Sequence, residues 1–118
     1  MKPLALIIED DPLLNEIIAL TLQADFEIQS CSDGTSAWNR LLEITPHIVV
    51  LDLNLPGMPG KEILAKLRAD DRFSQTRVIL ATADERQAET LTDTADIVLL
   101  KPVSPAQLRE LANRIKTL

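Results

Sequence analysis

The sequence has little of several residue types and patterns, and each shortage excludes a class of protein. Cys31 is the single cysteine among 118 residues, so no intramolecular disulfide can form. Together with the lack of a signal-peptide pattern, this favours a reducing, cytoplasmic location. The longest apolar runs, such as residues 97–100, are far too short to span a bilayer, so no membrane association is expected.

Positive charge is also in short supply. Twelve Lys and Arg residues stand against eighteen Asp and Glu residues, for a net charge of -6. A domain that mainly binds nucleic-acid phosphates has the opposite balance, so direct nucleic-acid binding is not expected. The length suits one domain, over residues 1–118, which can bury a core without needing disulfides or metal to fold.

Short apolar runs alternate with segments of helical spacing along the chain. The runs read "LALII", "FEIQSC", "IVVL", "VILAT" and "IVLL", and they are rich in residues suited to strands. A helical pattern follows each run, and the weakest of the five lies around Ala88 and Leu91. Continuous apolar runs are typical of parallel strands that helices cover on both faces. The sequence therefore predicts an α/β fold, with five strands in an open sheet and five helices.

Polar side chains follow the ends of four of these runs. They are Glu9, Asp10 and Asp11 after the first run, Asp52 after the third, Thr82 at the end of the fourth and Lys101 after the fifth. In open α/β sheets, ligands bind beyond the carboxyl ends of the strands. Asp11 precedes a proline and has the pattern of a helix cap, so its predicted role is structural. Each of the others alone fits a loop charge or a helix cap, but together they indicate a site.

The chemistry of this set favours a metal and a phosphoryl group. Crowded carboxylates repel one another unless a cation holds them. Mg²⁺ prefers oxygen ligands and is typically bound by one or two carboxylates together with phosphate oxygens. Asp52 could attack phosphorus to form an acyl phosphate, while Thr82 and Lys101 contact the phosphoryl oxygens. The sequence therefore predicts a magnesium-dependent phosphoryl site with Asp52 as the acceptor.

Four segments, "IIEDD", "LDLNLPGMPG", "ILATA" and "LLKPV", together resemble the receiver domain of two-component response regulators, of the chemotaxis-regulator kind. The resemblance covers the whole chain and implies a flavodoxin-like, doubly wound parallel sheet of order 2-1-3-4-5. It also implies that Thr82 and Lys101 contact the phosphoryl group and that a cis peptide bond precedes Pro102. The positions that match the Mg²⁺ ligands of the family are Glu9, Asp10, Asp52 and the backbone carbonyl of Asn54.

The resemblance implies a switch. A sensor histidine kinase or a histidine phosphotransfer protein would donate the phosphoryl group to Asp52. The domain would not be an enzyme in the ordinary sense, since it would catalyse only its own phosphorylation and dephosphorylation. Its output would be a changed surface for a downstream protein partner or an attached effector domain, and a homodimer through the face of the fourth helix, fifth strand and fifth helix is a further expectation. The sequence leaves open whether the chain stands alone or belongs to a longer regulator.

Some positions depart from the family pattern. Val98 stands where receivers usually carry an aromatic ring that turns when the threonine moves, so the activated change is expected to be smaller or to run through the backbone of residues 82–85. Two other functions stay open at this point. A phosphorylation-independent docking module is compatible with Val98. A phosphohydrolase is less compatible with Asn54, which cannot act as a general acid.

Overall fold

The computed structural model describes residues 1–116, and the last two positions of the predicted domain 1–118 lie outside the described residues. The strands are β1 (Leu4–Ile8), β2 (Glu27–Cys31), β3 (Ile48–Leu51), β4 (Arg77–Thr82) and β5 (Ile97–Leu100). The helices are α1 (Pro12–Leu22), α2 (Gly34–Leu41), α3 (Gly60–Ala69), α4 (Glu85–Glu89) and α5 (Pro105–Ile115), with a 3-10 turn at Asp71–Phe73. Within residues 1–116, no helix has the length and apolarity that a membrane crossing requires.

The five strands form one parallel sheet of order β2-β1-β3-β4-β5. This confirms the predicted fold class and strand order. Ile8, the last residue of β1, pairs with Cys31 of β2 and Leu51 of β3, and Leu51 pairs with Leu80 of β4. The strands therefore end nearly in line, so residues that follow different strands meet at the same edge of the sheet.

Helices cover both faces of the sheet, which explains why the strands are continuously apolar. All four residues of β3 are buried. Ile18 of α1 and Leu108 of α5 belong to the core on one face. Leu41 of α2 and Leu64 of α3 belong to the core on the other. A buried parallel strand needs apolar side chains on both of its faces, and this is the pattern that the sequence shows.

The fourth helix is shorter than the others. It occupies Glu85–Glu89. The helix predicted around Ala88 and Leu91 is therefore present at Ala88, but it ends before Leu91. Leu91 is nevertheless buried, and it packs in the loop that leads to β5. The next residues, "TLTDTAD" from position 90, are rich in threonine and aspartate, which are poor helix formers. The local composition therefore limits α4 to little more than one turn.

The predicted cap of α1 is present. Asp11 lies just before the helix, and its Oδ1 accepts hydrogen bonds from the backbone N–H groups of Leu13, at 3.0 Å, and Leu14, at 3.3 Å. Pro12 occupies the first helical position, where a missing N–H costs nothing. Asp11 is thereby engaged in starting α1, and the prediction of a structural role is confirmed.

Candidate functional site

Three carboxylates meet at the carboxyl edge of the sheet. Glu9, Asp10 and Asp52 each offer one oxygen, and these oxygens all lie within 4.8 Å of one another. Glu9 and Asp52 are 2% and 5% exposed, whereas Asp10 faces solvent. The register brings them together because Ile8 and Leu51, which precede Glu9 and Asp52, are paired residues of β1 and β3. Oxygen ligands in this number fit a hard cation such as Mg²⁺.

Lys101 bridges the two buried carboxylates. Its Nζ lies 2.8 Å from Oε1 of Glu9 and 3.0 Å from Oδ2 of Asp52. The lysine directly follows β5, and the peptide bond between Lys101 and Pro102 is cis, as the family resemblance implied. One ammonium group thus serves two carboxylates, with a third carboxylate, Asp10, beside them. The cluster is short of positive charge.

The electrostatics of the site follow from burial. Desolvation raises the pKa of Glu9 above its usual value of 4.5, and the contacts with Lys101 and with the backbone N–H of Asp11 offset this only in part. Burial by itself would lower the pKa of Lys101, but the adjoining carboxylates outweigh it, and the pKa is raised above 10.5. Lys101 therefore stays charged at neutral pH. Oε1 of Glu9 is buried and lies 2.8 Å from the ammonium of Lys101, so this oxygen already faces a cation.

Thr82 connects the site to α4. This residue ends β4 and is fully buried, and its Oγ1 accepts a hydrogen bond of 3.1 Å from the backbone N–H of Asp84. Asp84 in turn caps α4, since its carboxylate accepts from the backbone N–H and the side-chain amide of Gln87, both at 3.0 Å. The backbone hydrogen bond from Gln87 is the largest of the effects that lower the pKa of Asp84. The helix cap is therefore Asp84 and not Thr82.

The loop after β3 is fixed by hydrogen bonds of its own backbone and by one with Thr35 of α2. Asn54 donates its backbone N–H to Oδ1 of Asp52 at 3.4 Å, and Gly60 donates to the carbonyl of Leu53 at 3.0 Å. The N–H of Met58 is bound by Oγ1 of Thr35 at 3.2 Å. The loop therefore has a defined course beside Asp52. The role of the Asn54 carbonyl as a metal ligand stays a prediction.

Close backbone contacts around this loop require glycine. A Cβ at Gly60 would lie 2.1 Å from the carbonyl oxygen of Asp52, and one at Gly34 would lie 1.7 Å from that of Met58. Gly57, within the loop, has a φ of +74°, which L side chains rarely adopt. The backbone of α2 and α3 thus approaches the loop more closely than any side chain would permit.

Two residues of the site region were missed by sequence reasoning. Asp84 had a signal, because an acidic residue three positions before Gln87 is a helix-start pattern. Asn15 had none. Its side-chain amide donates to the carbonyls of Glu9, at 2.9 Å, and Cys31, at 3.2 Å. That contact exists because α1 packs across the ends of β1 and β2, and no local sequence pattern predicts this packing.

The fold and the site have counterparts in known proteins. The family model of the response regulator receiver domain matches residues 5–113. The regulatory protein VanRB of Enterococcus faecalis is 34% identical over 116 residues, which cover 96% of this chain and 50% of VanRB. The BeF3-activated receiver domain of DrrB superposes with a TM-score of 0.89 at 26% identity, and the match covers 100% of both chains.

A crystal structure of the response regulator TrrA from Thermotoga maritima, in complex with Mg²⁺ and BeF, gives a TM-score of 0.85 at 26% identity. That match covers 98% of this chain and 99% of TrrA. The chain spans about half the length of the curated relatives it matches, 50% for VanRB and 48% for MtrA of Mycolicibacterium smegmatis. Since the family match extends over nearly the whole sheet and all helices except the last two residues of α5, the chain belongs to the response regulator receiver domains, the phosphorylation-switch modules of two-component systems.

Proposed function

We propose that this receiver accepts a phosphoryl group on Asp52 in a Mg²⁺-dependent reaction. The observation that carries the proposal is the position of Lys101, whose Nζ lies 3.0 Å from Oδ2 of Asp52 and 2.8 Å from Glu9. A buried carboxylate beside a fixed ammonium group can act as a nucleophile while the cation stabilises the charge of the incoming phosphoryl oxygens. Asp10, which faces solvent, suits a metal ligand better than a nucleophile.

The proposed step transfers phosphorus from a nitrogen to an oxygen. An oxygen of Asp52 attacks the phosphorus of a phosphohistidine, a P–O bond forms as the P–N bond breaks, and the electron pair of the broken bond stays on the imidazole. Lys101 and the hydroxyl of Thr82 then hold two phosphoryl oxygens. In the later hydrolysis, water attacks phosphorus, inorganic phosphate leaves, and the carboxylate of Asp52 is restored.

The proposed metal ligands are the residues that the family resemblance implied: Glu9, Asp10, Asp52 and the backbone carbonyl of Asn54. Receiver domains bind Mg²⁺ at an acidic pocket, and the three carboxylates here have the oxygen chemistry and the mutual distances, within 4.8 Å, that such binding needs. When bound, Mg²⁺ neutralises charge on the phosphoryl oxygens. The buried carboxylates of Glu9 and Asp52 share the single ammonium group of Lys101, and this shortage of positive charge supports the assignment.

We propose that the signal leaves the site through Thr82 and Asp84. A hydroxyl that turns to donate to a phosphoryl oxygen loosens its bond with the N–H of Asp84, and Asp84 caps α4. The groove beside α4 has a volume of about 260 Å³, and its lining residues are Glu85, Ala88, Glu89, Thr92, Val98 and Leu100. Val98 packs partly buried against the core, so the response is carried by backbone movement near α4 and not by a turning ring.

We also propose partners for this receiver. The phosphoryl donor would be a sensor histidine kinase or a histidine phosphotransfer protein, in the cytoplasm. The output would go to a downstream protein or to an attached effector domain, and the length of the relatives supports the latter. A homodimer through α4, β5 and α5 is a further proposal. Family membership does not favour the alternative of a docking module that works without phosphorylation.

Intact-protein mass spectrometry tests the proposal. The native chain is incubated with acetyl phosphate and Mg²⁺, beside Asp52→Asn and the control Asp93→Asn, which changes an exposed carboxylate in the loop before β5. We expect one phosphoryl adduct on the native chain and on the Asp93 variant, none on the Asp52 variant, and none for any of them in EDTA. An adduct on Asp52→Asn, or an adduct that forms equally in EDTA, would overturn the proposal.

A further inference from the structure

Asn15 touches the backbone on which the candidate metal ligands are mounted. It is the fourth residue of α1 and half-buried, and its Nδ2 donates to the carbonyl of Glu9 at 2.9 Å and to that of Cys31 at 3.2 Å. The N–H of Glu9 donates to the same carbonyl of Cys31 at 3.1 Å. One side-chain amide thus joins the ends of β1 and β2 at the edge where the carboxylates meet.

The hydrogen bond from Asn15 to Glu9 is important because it lies just beyond the end of β1. β1 ends at Ile8, so the carbonyl of Glu9 lies beyond the strand and needs a hydrogen-bond partner from elsewhere. The amide of Asn15 supplies one. The carboxylate of the same residue is held by the N–H of Asp11 at 3.1 Å and by Lys101 at 2.8 Å. Asn15 therefore fixes the main chain of Glu9, and other groups fix its side chain.

We propose that Asn15 is a positioning residue for the Mg²⁺ site: by fixing the backbone of Glu9 it sets where the carboxylates of Glu9 and Asp10 lie relative to Asp52. The inference rests on the proposed Mg²⁺ binding. Mg²⁺ requires near-ideal octahedral geometry at short distances, so a small shift of a ligand is felt strongly. Partners that hold metal ligands in place typically contribute about 10- to 100-fold in metal affinity.

Asn15→Leu removes both donors while keeping a side chain of similar size. Asn113→Leu is a matched control, since Asn113 is a half-buried amide of α5 that also donates twice, to Asp25 at 2.9 Å and to the carbonyl of Arg109 at 3.0 Å. The dissociation constant for Mg²⁺ alone is measured by isothermal titration calorimetry. Urea unfolding in EDTA gives the stability of each variant.

We expect Asn15→Leu to bind Mg²⁺ about tenfold more weakly than the native chain. The control is expected to bind like the native chain, although both variants lose stability. Asn15→Gln, which retains the amide on a longer stem, is expected to recover part of the affinity. Should Asn15→Leu not fold, Asn15→Ala gives the same comparison with a smaller side chain, and the same tenfold loss is expected.

Two results would overturn the inference while leaving the proposed function standing: unchanged Mg²⁺ affinity in the Asn15 variant that folds, or an equal loss in Asn113→Leu. The second would show that affinity merely follows stability. If the native chain shows no saturable Mg²⁺ binding, then the proposed metal site fails and the inference fails with it. The native titration thereby separates the failure of the inference from the failure of the function.

Discussion

The two edges of the sheet hold opposite arrangements of charge. At the carboxyl edge, one cation, Lys101, lies within 3.0 Å of the carboxylates of Glu9 and Asp52. At the amino edge, one carboxylate, Asp96, lies 2.8 Å from the guanidinium of Arg68 and 3.5 Å from that of Arg77. The first cluster is short of positive charge, and the second has more positive than negative charge.

At the amino edge, Asp96 and Arg68 find their partners within the chain, whereas Nε of Arg77 has no hydrogen bond among residues 1–116. Oδ2 of Asp96 also accepts from the N–H of Val78 at 2.7 Å. Arg68 donates to the carbonyls of Thr94 at 2.9 Å and Thr76 at 3.0 Å, so it ties α3 to the segments before β4 and β5. Such a network stabilises a fold. The comparison teaches that a carboxylate met by two guanidinium groups and a backbone N–H, as Asp96 is, has a structural role, whereas two buried carboxylates that share one ammonium group are suited to a ligand cation.

The largest expected loss of stability comes from a substitution at the amino edge of the sheet. Arg68→Leu removes the donor of two carbonyls, those of Thr94 and Thr76, and one of the donors that surround Asp96, and acceptors left without a donor are costly. We expect the free energy of unfolding to fall by about 3 kcal/mol. Urea unfolding measures it, and Mg²⁺ affinity is expected to stay at the native value. Arg68→Lys keeps the charge but not the fork of donors, so it should recover only part of the loss.

The next largest loss of stability is expected from a substitution at the carboxyl edge. Lys101→Met leaves Glu9 and Asp52 buried together with no cation, so in EDTA the free energy of unfolding is expected to fall by about 2 kcal/mol. Added Mg²⁺ should narrow the gap between this variant and the native chain, because the metal supplies the missing positive charge and stabilises the folded state. The gap of the Arg68 variant should not change, because that variant binds Mg²⁺ as the native chain does. Unfolding curves with and without Mg²⁺ test this. An equal change in the free energy of unfolding on adding Mg²⁺ in both variants would contradict the proposed difference between the edges.

A smaller effect is expected at Thr82. Thr82→Val keeps the shape but leaves the N–H of Asp84 without its acceptor, for a loss of about 1 kcal/mol. Adduct formation on Asp52 should persist, while the change in the amide NMR signals of residues 84–89 on adding a beryllium-fluoride phosphoryl mimic should shrink. Thr82→Ser retains the hydroxyl and is the control. A full response in the valine variant would contradict the route through α4.

The smallest effect concerns an ion pair outside both edges. Arg109 Nε lies 2.8 Å from Asp25 Oδ2, and the hydrogen bonds from Arg109 and then Asn113 lower the pKa of Asp25 below 3.8. A carboxyl group whose pKa is lower in the folded chain than in the unfolded chain stabilises the fold at pH values above 3.8. This contribution is lost as the pH falls through the folded-state pKa. The unfolding midpoint of Asp25→Asn is therefore expected to lie slightly below the native one at pH 6 and to approach it as the pH falls below 3.8. A gap that widens in acid would reverse the sign.

The fold and the carboxyl edge could be predicted because their signals are local. Each strand is a continuous apolar run, and Asp52 and Lys101 directly follow strands, so the topology alone brings them to one edge. The amino edge offered no such signal. Arg68 and Asp96 are 28 positions apart, and a charged residue near the end of a helix usually faces solvent. Whether it folds back over the sheet depends on packing, which the linear sequence does not display.

The glycines of this chain have a consequence for how its sequence can vary. The chain has three, and all of them lie around the loop after Asp52, where an added Cβ would meet backbone at Gly34 and Gly60 and the hydroxyl of Thr35 at Gly57. Random substitution elsewhere exchanges one side chain for another, but at these positions it introduces one where none fits. The shape of the loop beside the acceptor is thus encoded at positions without side chains, so a mutational library should tolerate changes least well there.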